Sequence, residues 1–490
     1  MKADDIMHKE NLKVLFVSSE VSPYIKSGGL GEVAGSLPLA LKELGVDIRV
    51  VFPRYKTINQ STLNNIQFLG SFEVKLDWRL PQASILSIDA PYPTYLVENG
   101  HYFDRGHIYG FGDDFERFAF FSKAAINMLP IIDFKPDIIH FNDWQTAIGC
   151  IYLKDIYSRF LYYSDIKSIF TIHNLQYQGH FGSEVLPQID LNYGYFVNDK
   201  LEFHNIVNYM KGGLAYADYV TTVSPTYAHE IQSPTYSYGL DGIIRSRADN
   251  LIGILNGIDY NEYNPETDSR IPFNYNVHSL DNKANNKSDL QAMLGLPVRD
   301  VPMFAIISRL AEQKGLDLVA AAMGELMNRD IQLVVLGTGD EHFEHLFTAN
   351  AYYHPDKVSA NIRFDASFAQ KIYAASDFFL MPSLFEPCGL GQLIAMHYGS
   401  LPICRKTGGL VDTVQHYNYD EGTGVGILFE HYVSNALIWA IDEAIHLYSE
   451  KSHYRKAQIN AMSKNFSWEQ SAKDYTALYE KVSGIKHTPA

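Results

Sequence analysis

Two stretches far apart in the 490-residue chain share a pattern: KSGGLGEV from Lys26 to Val33 and KTGGLVDTV from Lys406 to Val414. Each sets a lysine before a Gly-Gly turn, where glycine lets the backbone approach a ligand and free N–H groups at a helix start favour an anion. More cations follow the apolar run VPMFAIIS: Arg309 and Lys314 leave the same strand end and would together neutralise a diphosphate, arginine through a forked contact. In PSLFEPCGLGQLIAMHYGS, Glu386 follows a strand end and the segment from Gly389 onward can start a helix. A carboxylate there can grip sugar hydroxyls while neighbouring N–H groups take phosphate oxygens. Three more polar groups end apolar runs: Asn142-Asp143-Trp144, His173-Asn174 and Asn256-Gly257. Singly these features have plainer readings: a tight turn, a helix cap, solvated cations, a structural histidine. Together they suit a sugar diphosphate. The chain has no Asp-x-Asp, so fixed cations and helix dipoles rather than a carboxylate-bound metal are expected to face the phosphates.

Such groups need strands to aim them. From Leu12 to Val17 an apolar strand leads into the first glycine turn, then into AGSLPLALKELG at helical spacing, then into VDIRVVFP, a second strand. That order is the signature of a right-handed βαβ unit in a parallel sheet. PDIIHFNDW, IKSIFTIHN and ADYVTTVSPTY repeat the plan, each an apolar strand with a polar end, and open parallel sheets bind ligands outside the carboxyl ends of their strands. Around LNGIDYNEYNPETD the pattern breaks, and residues 274–288, rich in Asn, Asp, Ser and Lys without periodicity, read as the domain junction. The rhythm restarts in VPMFAIISRL, IQLVVLGTGD, SDFFLMPS and SLPICRKTGGL. The expected division is 1–258, with a helix over 468–490 packing back onto it, and 259–467. Phe466, Trp468, Tyr475 and Tyr479 are the candidates for the buried face of that last helix. The fold class is α/β, two doubly wound sheets facing across a cleft.

With 46% hydrophobic and 20% charged residues the chain reads as soluble and globular, without the run of roughly 18 apolar residues that a membrane span needs. The first twenty residues carry two aspartates and two glutamates and no secretory apolar run, so no export signal is expected. Three cysteines, Cys150, Cys388 and Cys404, without a CxxC pair, suggest neither a disulfide framework nor a zinc site, and the default is a cytoplasmic location. A formal charge of -16 argues against nucleic acid as a partner, while a neutral polymer is not repelled. No GxGxxG follows the first strand, which removes a nicotinamide oxidoreductase from consideration.

Taken in order, SSEVSPYIKSGGLGEVAGSLP, YGFGDDFERF, HFNDWQTA, TIHNLQYQG, KGGLAYADYVTTVSPTYAHEI, YGLDG, LNGIDY, ISRLAEQKGLD, GTGD, FEPCGLGQL, RKTGGLVDTV and FSWEQSA resemble the bacterial glycogen synthases and plant starch synthases over nearly the whole chain. The resemblance implies the glycosyltransferase B fold and transfer of glucose from ADP-glucose to the non-reducing 4-hydroxyl of an α-1,4-glucan with retention. No metal or other cofactor is expected, for want of an Asp-x-Asp. The resemblance places Lys26 with Gly28 and Gly29 at the donor's phosphates and glucose, Arg309 and Lys314 at the diphosphate, and Glu386 at the glucosyl hydroxyls. By the same resemblance the Gly389-Leu390 backbone adds donors, His173 and Asn256 line the glucose, and Asp143 and Tyr109 lie nearby. UDP-glucose as donor, and a catalytically silent glucan-binding relative, are the alternatives. A two-carboxylate route has no assignable partner for Glu386. Three positions depart from the family pattern: Glu32 stands for the usual aspartate, Gly391 for the usual threonine, and Ile394 for a glutamate found in related transferases.

Overall fold

The computed structural model describes residues 11–487. Residues 1–10, on which the reading of no export signal partly rests, and residues 488–490 of the expected last helix lie outside the described residues. The chain divides into two compact units, one running to Gly257 and resuming at Trp468, the other Ile258–Ser467.

The first unit contains the strands β1 (Lys13–Val17), β2 (Asp47–Pro53), β3 (Gln67–Glu73), β4 (Gln82–Ile88), β5 (Thr94–Glu98), β6 (Ile138–Asn142), β7 (Lys167–Ile172), β8 (His180–Phe181), β9 (Glu202–Phe203), β10 (Ile206–Asn208), β11 (Tyr219–Thr222) and β12 (Leu251–Gly253). Nine form one sheet in the order β12-β11-β7-β6-β1-β2-β5-β4-β3, and β8-β10-β9 form a small second one. Pairing is parallel from β12 to β5; β4 and β3 then add as antiparallel strands. β1 and β6 are buried almost end to end, which is why they read as continuous apolar runs: helices cover both faces of a parallel sheet. The strand order reverses between β1 and β6, where Val17 lies beside Phe141. The polar loops Ser18–Gly28 and Asp143 leave that point, the place where an open sheet leaves room for ligand.

The second unit is a six-stranded parallel sheet, order β15-β14-β13-β16-β17-β18, from β13 (Met303–Ile307), β14 (Gln332–Leu336), β15 (Val358–Asn361), β16 (Phe378–Met381), β17 (Leu401–Arg405) and β18 (Ile427–Phe429). Its order reverses between β13 and β16, whose carboxyl ends run into Ser308-Arg309 and the Pro382–Glu386 loop.

The stretch expected to be a linker is not one: Asp281–Met293 is a helix of the second unit. Its polar residues work inside. The Lys283 ammonium donates to the carbonyls of Tyr373 and Ala374 at 3.1 and 3.0 Å, and that of Lys287 pairs with Asp377 at 2.6 Å. The last helix spans Trp468–Ser483, shorter than the expected 468–490. Trp468, Tyr475 and Tyr479 are buried, whereas Phe466 precedes the helix and packs against the core of the second unit. Among the described residues no helix is long and apolar enough to cross a membrane.

Candidate active site

Each unit holds its own share of the residues singled out from the sequence. In the first, the loop after β1 carries Lys26 into Gly28, the N-cap of the helix Gly29–Glu43. Side chains at Gly28 and Gly29 would meet nothing within 4 Å, so the fold leaves space above both. The loop is clamped by Glu20, which is 3% exposed. Its carboxylate accepts from the Ser27 N–H, from Ser27 Oγ at 2.7 Å and from the Tyr109 hydroxyl at 2.5 Å. Ser19 Oγ lies 2.8 Å from the same Tyr109 hydroxyl. Burial first, and then the Glu20 charge, push the Tyr109 phenol well above its usual range. Lys26 pairs with Glu32, the residue that departs from the family pattern, one helical turn into the helix.

At the end of β6, Asp143 adopts a left-handed φ of 56° and Asp143 Oδ1 accepts from the His173 N–H at 2.7 Å and the Asn174 N–H at 3.4 Å. A buried non-glycine residue held there stores backbone strain, which gathers at functional sites. Burial raises the Asp143 pKa to about 7, against the two N–H bonds that lower it. His173 Nε2 lies 2.9 Å from Asn142 Oδ1. The Asn142 amide nitrogen donates to the carbonyls of Val17 and His140 at 3.1 and 3.2 Å, so its oxygen faces the ring. Nε2 is therefore the donor. Burial lowers the His173 pKa to about 3, so the neutral ring keeps a lone pair on Nδ1, an acceptor for a hydroxyl. Asn256, 7% exposed, has a buried Oδ1 without a partner among the described residues.

In the second unit Lys314 and Glu386 meet: Nζ lies 2.7 Å from Oε2, which also accepts from Ser383 Oγ at 3.0 Å. Glu386 Oε1 has no partner among the described residues, leaving one carboxylate oxygen for a ligand hydroxyl. Two chain crossings create this pair. Gly315, at φ 70°, would place a Cβ 2.0 Å from the Pro382 carbonyl, so only glycine lets the Glu312–Lys314 turn lie on the end of β16. The Leu384 N–H then donates to the Gln313 carbonyl at 2.9 Å. From the other side Arg405, 7% exposed, donates to the carbonyls of Ser383, at 2.8 Å, and Leu384. Arg309 is exposed beyond β13. Gly389, at φ 74°, and Leu390 lead into the helix Gly391–His397. A Cβ at Gly391 would lie 2.9 Å from the Phe379 ring, and Ile394 is buried, so neither departure position offers a polar side chain.

The structure thus joins Lys26, Gly28, Gly29 and Tyr109 through Glu20, Asp143 with His173, and Lys314 with Glu386. Sequence reasoning missed Glu20, Ser383 and Arg405, and named Asn142 only as a strand end, without its hold on the His173 ring. Glu20 and Asn142 lie at carboxyl ends of parallel strands, the signal that found Asp143; Arg405 ends a buried strand, and nothing local marks its reach to Ser383. Among the described residues no group of three or more His, Cys, Asp or Glu is placed to hold a metal ion.

Residues 13–246 match the family model described as starch synthase catalytic domain, and residues 296–461 that of glycosyl transferases group 1. The chain is 48% identical over 476 residues, 96% of its length and 100% of the relative's, to glycogen synthase of Clostridium botulinum (strain Eklund 17B / Type B). It is 48% identical, with the same coverage, to glycogen synthase of Alkaliphilus metalliredigens (strain QYMF). The solved catalytic domain of starch synthase IV from Arabidopsis thaliana, bound to ADP and acarbose, matches with a TM-score of 0.91 at 33% identity, covering 97% of this chain and 100% of that one. The chain belongs to the glycogen and starch synthase family, glycosyltransferases of the B fold type.

Proposed function

We propose that the protein transfers glucose from ADP-glucose to the non-reducing 4-hydroxyl of an α-1,4-glucan with retention of configuration. The observation that carries this reading is the likeness, at 33% identity over 97% of the chain, to a starch synthase solved with ADP and acarbose. Breaking the bond between the anomeric carbon and phosphate leaves positive charge on the sugar and negative charge on the diphosphate, so preorganised cations lower the barrier. In this reading Arg309 and Lys314 take the diphosphate, Lys26 and the open Gly28-Gly29 turn face the donor, and the Gly389-Leu390 backbone adds N–H donors. Glu386 Oε1 and His173 Nδ1 accept glucosyl hydroxyls, with Asn256 lining the sugar and Asp143 and Tyr109 holding the loops around it. The leaving diphosphate helps deprotonate the incoming 4-hydroxyl on the same face, which keeps the α configuration. No metal takes part, and the enzyme acts in the cytoplasm.

The test is incubation with radiolabelled ADP-glucose or UDP-glucose and a maltooligosaccharide, followed by an α-1,4-specific hydrolase. Label passing from ADP-glucose into a hydrolase-sensitive product is expected. Incorporation from UDP-glucose alone reverses the donor assignment, and incorporation from neither overturns the reading. Turnover is expected to survive EDTA; a loss restored by magnesium would count against catalysis by fixed cations alone.

A further inference from the structure

Arg405 ends β17 as a buried cation and forms no ion pair among the described residues. Taking a guanidinium out of water without a counter-charge is costly, so its other contacts have to offset the loss. Two of them are the carbonyls of Ser383 and Leu384, in the loop that carries Glu386. The third is an aromatic face: the guanidinium carbon lies 5.5 Å from the ring centroid of Tyr432, within reach of a cation–π attraction. Tyr432 follows β18 and leads into the helix Ser434–Ser449. Its hydroxyl donates to Asp317 Oδ1 at 2.5 Å, the short distance of a charge-assisted bond. Burial first, and then the bond to Asp317, push the Tyr432 phenol above its usual range, so at neutral pH it remains a donor.

Asp317 sits in the first turn of the helix Leu316–Leu326, three residues after Lys314. These contacts close a ring. From Lys314 it runs through the ion pair to Glu386, back along the loop to Ser383 and Leu384, across to Arg405, on to Tyr432, and through Asp317 to the turn that carries Lys314. Its members come from the carboxyl ends of four neighbouring strands, β13, β16, β17 and β18, and the helices Leu316–Leu326 and Ser434–Ser449 pack side by side where it closes. Singly the links have plain readings, a tyrosine packed on the core and an aspartate complementing a helix dipole. Those readings leave the closed path unexplained. We propose that Tyr432 and Asp317 are positioning residues for the Lys314–Glu386 pair, bracing Arg405 so that the carboxylate loop stays seated against the lysine turn; this rests on the roles proposed above for Lys314 and Glu386. Neither residue touches substrate. Without the hydroxyl bond the ring is free to leave the guanidinium, and the Ser383 and Leu384 carbonyls lose their fixed donor. A misplacement of about 1 Å costs up to about a hundredfold in rate.

Arg405→Lys loses the fork but leaves a buried ammonium and endangers folding, so the test goes through the half-buried Tyr432 and Asp317. Tyr432→Phe keeps the ring and deletes the hydroxyl, Asp317→Ala deletes the acceptor, and Asp317→Asn keeps one. kcat and KM for ADP-glucose are measured for each and for the double variant Tyr432→Phe with Asp317→Ala. The first two are each expected to lower kcat about tenfold with KM within about twofold, the double variant to fall no further than either single, and Asp317→Asn to keep kcat within about twofold of the unaltered protein. An unchanged kcat in Tyr432→Phe overturns the brace, as does a loss carried by KM alone, an additive loss in the double variant, or an Asp317→Asn as slow as Asp317→Ala. Near-normal kcat in Lys314→Ala or Glu386→Ala instead sinks the roles proposed for that pair, and the brace with them.

Discussion

A Cβ added to Gly28 or Gly29 would meet nothing within 4 Å, whereas one added to Gly408 would lie 1.9 Å from the Glu386 carbonyl oxygen and one on Gly409 2.5 Å from Cys388 Cα. Both turns follow a parallel strand and open a helix, Gly29–Glu43 in one unit and Gly408–Thr413 in the other. In the first, the glycines keep space free and the loop is held from below by Glu20. In the second, they admit the chain itself: the Gly409 N–H donates to the Glu386 carbonyl at 3.2 Å, so the turn seats the loop that carries the carboxylate. The lysines differ too, Lys26 pairing with a residue of the helix that follows it and Lys406 reaching Glu430 across 3.8 Å. Identical letters therefore leave open space at one place and support a loop at the other.

The comparison can be broken in several ways. The largest effect is expected from Lys314→Ala or Glu386→Ala, which should lower kcat/KM by about a thousandfold or more, since in the proposed reading Lys314 meets the charge developing on the diphosphate and Glu386 holds the glucosyl hydroxyls. Far-UV circular dichroism of either variant should stay native; turnover near normal would remove the supported carboxylate from the reaction. Gly408→Ala comes next, combining a φ of 45° with a backbone collision, and should cost about 2–4 kcal/mol in denaturant unfolding and lower transfer. An unchanged midpoint would show that the second turn has slack and the contrast is false.

Acid unfolding sharpens the contrast from the side of the first unit. Burial holds His140 and His173 at pKa values of about 3, below the unfolded 6.5, so their contribution is present above pH 6.5 and is lost as pH falls toward 3. Asp143, raised to about 7, runs the opposite way, its contribution fading as pH rises through 7. Between pH 6.5 and 4 the three leave a net slope near one proton, about 1.4 kcal/mol per pH unit, with stability falling toward acid. Asp143→Asn should about double that slope; a flatter slope would contradict the burial assigned to Asp143. The smallest effect belongs to Gly28→Ala, which should leave stability within about 0.5 kcal/mol and raise the donor KM about tenfold. Loss of stability there instead would make the first turn a packing element like the second.

How much of this was legible depended on what each residue packs against. Strands such as Lys13–Val17 and Met303–Ile307 announced themselves because both faces of a parallel sheet are apolar, and their polar ends led to Asp143, His173 and Arg309. Asp281–Met293 did not, because Lys283, Asn286 and Lys287 face inward, held by carbonyls and Asp377 that lie far along the chain. The antiparallel strands β3 and β4 escaped for a related reason: β3 is largely exposed and has no core-facing alternation to read. At the site, the groups proposed to meet a ligand were visible as types at strand ends. Those that hold them, Glu20 under Ser27 and Arg405 under Ser383, act through partners that sequence proximity or pattern does not reveal as a pair.

His140 lies fully buried on β6 with Nδ1 2.8 Å from the Tyr479 hydroxyl and Nε2 2.5 Å from Thr171 Oγ1. Tyr479 belongs to the helix Trp468–Ser483, which leaves the ribosome only after the whole of Ile258–Ser467. During synthesis the nascent first unit thus waits, at roughly 5–20 residues per second, tens of seconds with that imidazole lacking its tyrosine and an apolar helix face uncovered. Birth order and architecture run against each other here, and the interval before the last turn emerges is when a chaperone has something to hold.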